Sequence, residues 1–155
     1  MAKPPVPTLE FLTYGEIAVA VPRVIGATSA GERRIVDITG GRFDGPGLSG
    51  DILAGGADWQ RVQPDGAASL HARYTIRTDD GARVYIENSG LRNGPKDVLA
   101  AMMSGAIVEP SRYYFRAVPR IECAHPRYAP LMQRILLCSG ALTKDRVAVD
   151  LYIVN

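Results

Sequence analysis

The chain has 155 residues, 46% of them hydrophobic and 22% charged, with 18 Lys and Arg against 16 Asp and Glu for a net charge of +2. That length suits one domain burying about 68–70% of its unfolded surface, enough for a core without staples. The balanced charge, carried mostly by scattered arginines, argues against an electrostatic nucleic-acid partner or a polybasic membrane anchor. No apolar run reaches the roughly 18 residues of a spanning helix.

The opening MAKPPVPTLE lacks a basic stretch followed by an apolar one, so no secretory leader is expected and a cytoplasmic location is. In that setting Cys123 and Cys138 are expected to stay reduced. Residues 1–7 hold three prolines without a hydrophobic pattern and read as an arm, with residues 8–155 as a single domain.

From Leu9 the pattern is β-like. FLTYGEIAVAV (11–21) is rich in aromatic and β-branched residues, with Gly15 expected at a bulge. RRIVDITGGRF (33–43) alternates, placing Ile35, Asp37 and Thr39 on one face and Val36 and Ile38 on the other. Gly40 and Gly41 then allow a sharp bend. GPGLSG (45–50) is a turn, SGDILAGG (49–56) a short strand, and WQRVQ (59–63) the start of another, with PDGA as its turn. SLHARYTIRT (69–78) and RVYIENSG (83–90), joined by DDGA, form the clearest hairpin.

GPKDVLAAMMSG (94–105) differs: Pro95 suits a helix N1 position, Asp97 the first turn, and Val98, Leu99, Met102 and Met103 one face, with an end near Gly105. RYYFRAVPRIEC (112–123) returns to strand, and Pro119 demands an edge or bulge. HPRYAPLMQ (125–133) reads as a turn or short helix. RILLCSGAL (134–142) and RVAVDLYIV (146–154) are closing strands joined at TKD. This amounts to about nine strands and one short helix. Most strands have no helix between them, which excludes parallel βαβ architecture. Long bent antiparallel strands favour a closed barrel, which leaves no edges. The fold class is therefore all-β, a single antiparallel β-barrel.

Taken as a set, RRIVDITGGRFDGPGLSGDILAGGADW, ARYTIRTDDGARVYIENSGLR, YYFRAVPRIE and VAVDLYIV resemble the domain-of-unknown-function family 3237, an uncharacterised protein family, from about Thr8 to Val154. The resemblance implies a compact calycin- or lipocalin-like barrel and says little about chemistry.

The glycines of residues 40–56 do not open a helix and no Gly-Lys-Ser/Thr follows, so they read as bends rather than a phosphate loop. Asp58 and Trp59 follow a glycine pair. Trp59 is a candidate pocket floor and Asp58 a candidate carboxylate whose desolvation would raise its pKa toward the general-base range. In the hairpin, His71, Arg73, Thr75 and Arg77 share a face opposite Leu70, Ala72, Tyr74 and Ile76. Either Glu87 or Asn88 must point inward and would need a partner, for which Arg73, Tyr74 and Arg116 are candidates. Tyr114 and Arg116 are expected in the pocket, as proton donor to an oxyanion and as clamp for a carboxylate or enolate.

Cys123, His125 and Cys138 offer three ligands without a fourth, so no metal is expected. No GxSxG elbow exists for a serine triad. The leading expectation is a cofactor-independent acid–base enzyme, an isomerase, cyclase or lyase acting on a small, partly apolar carbonyl compound. Asp58, Glu87 and Tyr114 would be catalytic, and Trp59, Arg73, Tyr74, Asn88 and Arg116 substrate-binding. A non-catalytic carrier of a small hydrophobic ligand and a filled interaction protein are the alternatives. The expected partner is a small molecule, with a homodimer or higher homo-oligomer possible on symmetry grounds.

Overall fold

The computed structural model describes residues 1–155. Its strands are β1 (Leu9–Val19), β2 (Arg23–Thr28), β3 (Gly31–Asp44), β4 (Gly50–Ile52), β5 (Gly56–Val62), β6 (Ala68–Thr78), β7 (Arg83–Asn93), β8 (Tyr114–Glu122), β9 (Leu136–Leu142) and β10 (Arg146–Val154), with one helix, α1 (Lys96–Met103). All pairings are antiparallel. The ring runs β1-β10-β9-β8-β7-β6, then through β4 and β5 to β3, and β3 closes back on β1. This is the expected barrel. β2 is the strand beyond the count read from the sequence; it pairs only with β3. No helix is long and apolar enough to cross a membrane.

Closure depends on the bend in β3. Before the bend β3 pairs with β2 and β5, and from the bend onward with β1 and β4. Gly41 sits at the turn with φ +128°, and a Cβ there would come within 2.1 Å of the Glu16 carbonyl oxygen on β1. Only glycine allows that backbone angle and that approach together. Gly15 has a different role from the bulge expected of it. The register breaks in β1 lie between Phe11 and Thr13 against β10 and between Ala18 and Val19 against β3, while a Cβ on Gly15 would lie 2.5 Å from the Phe43 ring. Pro119 fits where it is because β8 pairs with β9 only through Arg116 and Ala117, so the proline lies beyond the last rung on that side.

Strand alternation fills one end of the barrel. Phe43, Ile76, Val84, Ile86, Leu136 and Leu151 are fully buried and anchor a core cluster of 19 residues. A second cluster of seven, including Val62, Leu70, Val98, Tyr113 and Phe115, lies under α1 at the other end. The helix follows Pro95, which serves as N-cap rather than N1, and gives way to Gly105 at φ +88°. It buries Val98 and Leu99 and lies across the barrel mouth. A Cβ on Gly66 in the β5–β6 turn would press on Leu99 at 2.9 Å.

Candidate active site

The end under α1 is hollow. An inner chamber of about 60 Å³ is lined mainly by Ile38, Leu70, Phe115 and Val149, together with Asp58, Tyr74 and Asn88. It adjoins a mouth of about 350 Å³ bounded by β-strand residues and by Leu99, Met102 and Met103 of α1. Val36, Gln60 and Arg92 belong to the walls of both.

Asp58 reaches the chamber because β5 alternates, sending Ala57 and Trp59 one way and Asp58 and Gln60 the other. The β5–β6 ladder is interrupted between the rungs Asp58↔Ala72 and Arg61↔Ser69. The Asp58 side chain takes over there: its Oδ1 accepts the His71 backbone N–H at 2.8 Å, and Oδ2 accepts from Gln60 Nε2 at 2.7 Å. Burial raises the Asp58 carboxyl above the ordinary carboxylate range, although these two hydrogen bonds and the charges of Arg92 and His71 oppose the rise.

Tyr74 Oη and Asn88 Oδ1 are buried in the chamber wall without a hydrogen-bond partner. Native proteins rarely leave such atoms unpaired. The Tyr74 ring stacks on Phe43, centroids 6.4 Å apart and planes 6° from parallel. Burial drives its phenol pKa far upward, so the group stays protonated and is available as a donor. Burial likewise pushes the Cys138 thiol up to about 11, which leaves it a poor nucleophile. Both cysteines are buried and free. Cys123, His125 and Cys138 form no three-ligand group.

Asp58, Tyr74 and Asn88 thus meet in one chamber, and the inward member of the Glu87/Asn88 choice is Asn88. The other expected pocket residues lie on the outer surface, which corrects their placement. Trp59 is 36% exposed, with the Arg73 guanidinium 5.8 Å from its ring centre. Glu87 accepts from Tyr85 Oη at 3.3 Å and faces His71 and Arg73 across 3.5 and 3.8 Å. Tyr114 is 53% exposed, and Arg116 stacks 5.4 Å over it. The reason is phase. In β8 the buried series is Phe115, Ala117 and Pro119, continuing from Tyr113, so the tyrosine that enters is Tyr113. Its hydroxyl accepts the Leu142 backbone N–H at 2.9 Å.

Outside, His71 Nδ1 lies 2.7 Å from Ser89 Oγ, and Glu87 flanks the ring. Arg73 Nε donates to His71 Nε2 at 3.1 Å. With Nε2 accepting, a neutral imidazole carries its proton on Nδ1 and donates to the serine, the reverse of what a nucleophile's base must do.

The site also contains residues the sequence reading missed. Gln60 is two positions from Asp58 on the same strand face. Arg92 continues the inward series of β7 past Asn88 and Gly90. Burial lowers the Arg92 pKa, with Asp58 acting in the opposite direction and Arg34 with it.

A closed antiparallel barrel with a partly polar chamber at one capped end defines the class of protein. Within that class, the family described as "Protein of unknown function (DUF3237)" matches residues 7–154, and the chain belongs to it. A UPF0311 protein of Rhodopseudomonas palustris is 44% identical over 135 residues, covering 84% of this chain and 88% of that one. A crystal structure of a protein of unknown function from the same species superposes with TM-score 0.92 at 38% identity, over 98% of this chain and 100% of the other. A "beta-barrel like protein" from Acinetobacter baumannii gives TM-score 0.88 at 38% identity over the whole of both chains. The hydroalkoxylation enzyme phnH of Penicillium herquei is 30% identical over 88 residues, 57% of this chain and 58% of its own.

Proposed function

We propose that this chain is a cofactor-independent acid–base enzyme that isomerises, cyclises or cleaves a small, partly apolar compound in the hollow end of the barrel. Asp58 is the proton carrier in this reading. The observation that carries it is a carboxyl group aimed into a chamber, its pKa raised by burial, in a wall that also holds two buried polar atoms with no partner. A catalytic carboxyl works best when its pKa lies near the operating pH.

In the ionised form Asp58 takes a proton from a substrate carbon or hydroxyl; once protonated, it returns that proton elsewhere on the molecule. Negative charge building on a substrate oxygen is steadied by the Tyr74 hydroxyl and by the Arg92 guanidinium. Gln60 and the His71 N–H hold the carboxylate in place while it turns over. The likeness to a hydroalkoxylation enzyme supports the cyclase branch. Adding an O–H bond across a carbon–carbon double bond moves one proton from oxygen to carbon and consumes no redox equivalents.

The test is a thermal-shift screen of unsaturated alcohols, carbonyl compounds and aromatic acids, followed by turnover of each hit. Asp58→Asn should keep the thermal shift, since an amide can still accept the His71 N–H, and lower the rate by about 10²–10⁴-fold. Undiminished turnover in that variant would remove the proposed role. Binding without turnover of any hit by the wild-type protein would favour the carrier reading.

A further inference from the structure

We infer that the cavity takes an organic anion, a small molecule with an apolar body and one acidic oxygen group, such as a carboxylate or an acidic enol or phenol, whose charged end meets Arg92. This rests on the hollow end being the working site, as proposed above, but not on Asp58 moving a proton.

Arg92 stands where the inner chamber meets the mouth and contributes to both walls. A guanidinium presents five N–H donors, yet Arg92 makes no hydrogen bond and no ion pair within 4.0 Å. The other charges nearby are balanced. Arg34 is bonded to Glu32, and Lys144 and Asp145 bring opposite signs to the rim. Asp58 faces Arg92 through space without a hydrogen bond between them, while its oxygens accept from Gln60 and the His71 N–H. The guanidinium donors of Arg92 are therefore left without a partner at the junction, among walls that include Val36, Leu142 and Val147. A half-buried guanidinium whose donors lack partners gains by meeting an acceptor, and a planar oxygen pair is the group whose geometry suits a guanidinium best. The mouth, about 350 Å³, lies near the small end of the usual 300–1,000 Å³ for ligand sites. That suits a single ring or a short chain.

The experiment compares cinnamate with its neutral counterpart, cinnamyl alcohol, at pH 7 by calorimetry on the full chain. The wild-type protein should bind the anion at least about tenfold tighter, as expected for a desolvated charge-assisted pair. In Arg92→Met the preference should fall to within about threefold, and in Arg92→Lys, which keeps the charge, a preference should survive. Equal affinities in the wild type, failure of cinnamate to bind at millimolar concentration, or an unchanged preference in Arg92→Met would each overturn the inference. If Arg92 governs the preference while Asp58→Asn leaves turnover intact, the anion site stands and the acid–base reading falls. Asp58-dependent turnover with no Arg92-dependent preference would do the reverse.

Discussion

Asp58 and Asp80 have the same side chain and opposite effects on folding. Burial lets the folded chain hold a proton on Asp58 more tightly than the unfolded chain does. Its contribution to stability is therefore fully present below the unfolded pKa, near 3.9. It is lost as pH rises through the raised folded value, where an ion must be housed in the chamber. Asp80 is held at about 2 by hydrogen bonds from Thr78, Tyr128 and Arg127. Its contribution is present above the ordinary carboxylate range and is lost as pH falls toward about 2. Chemical denaturation from pH 2 to 8 should separate the two. Asp58→Asn should gain stability relative to wild type as pH climbs from 4 toward 8, and Asp80→Asn should lose its deficit only below pH 4. A flat difference curve for Asp58→Asn would mean that the carboxyl is not desolvated.

At the level of elements, the closure between β1 and β3 turns on glycine geometry, and two glycines separate its causes. Gly55 and Gly41 both have positive φ, +108° and +128°, but a Cβ at Gly55 meets nothing within 4 Å, whereas at Gly41 it would strike the Glu16 carbonyl. Gly55→Ala should cost backbone strain alone, about 1–3 kcal/mol. Gly41→Ala should add a steric clash worth about 1–3 kcal/mol more and lower the midpoint of urea unfolding accordingly. Equal losses would show that closure does not depend on close approach.

This bend, the β6–β7 hairpin and α1 were legible because each had local chemistry: a glycine pair, Asp-Gly between long β-rich arms, a proline followed by helically spaced apolar residues. β2 was not, because five of its six positions are exposed and no alternation marks it. In β6 and β7 the more apolar face is the inward one, yet the sequence reading left Glu87 and Asn88 open and took candidates from both faces, Arg73 and Tyr74 among them. β8 could not be phased in that way, since YYFRAVPRIE offers aromatic residues to both faces, and the choice fell on Tyr114 rather than Tyr113. Asp58 and Trp59 were grouped as neighbours in sequence, but a strand sends neighbours to opposite sides. The same rule carried past Gly90 reaches Arg92.

Across the whole molecule, the two ends of the barrel differ in what holds them. At the filled end, side chains from strands all round the ring interlock, so its amides should exchange mainly on global opening. At the hollow end the cover is α1, eight residues that bury Val98 and Leu99 and have no side-chain N-cap. Isolated helices of that length are marginal in water. Its hold on the barrel comes mainly from two side chains above a cavity, so the cap should open on its own, well below the cost of global unfolding. Hydrogen exchange read by mass spectrometry should show residues 94–108 exchanging at least about tenfold faster than β6 and the first half of β7, consistent with sub-global opening. An anion bound at Arg92 should slow the cap selectively, because a ligand that favours the covered mouth draws the equilibrium toward it. Uniform protection across both segments would mean that cap and barrel open as one cooperative unit, and that any ligand must enter by global fluctuation rather than beneath α1.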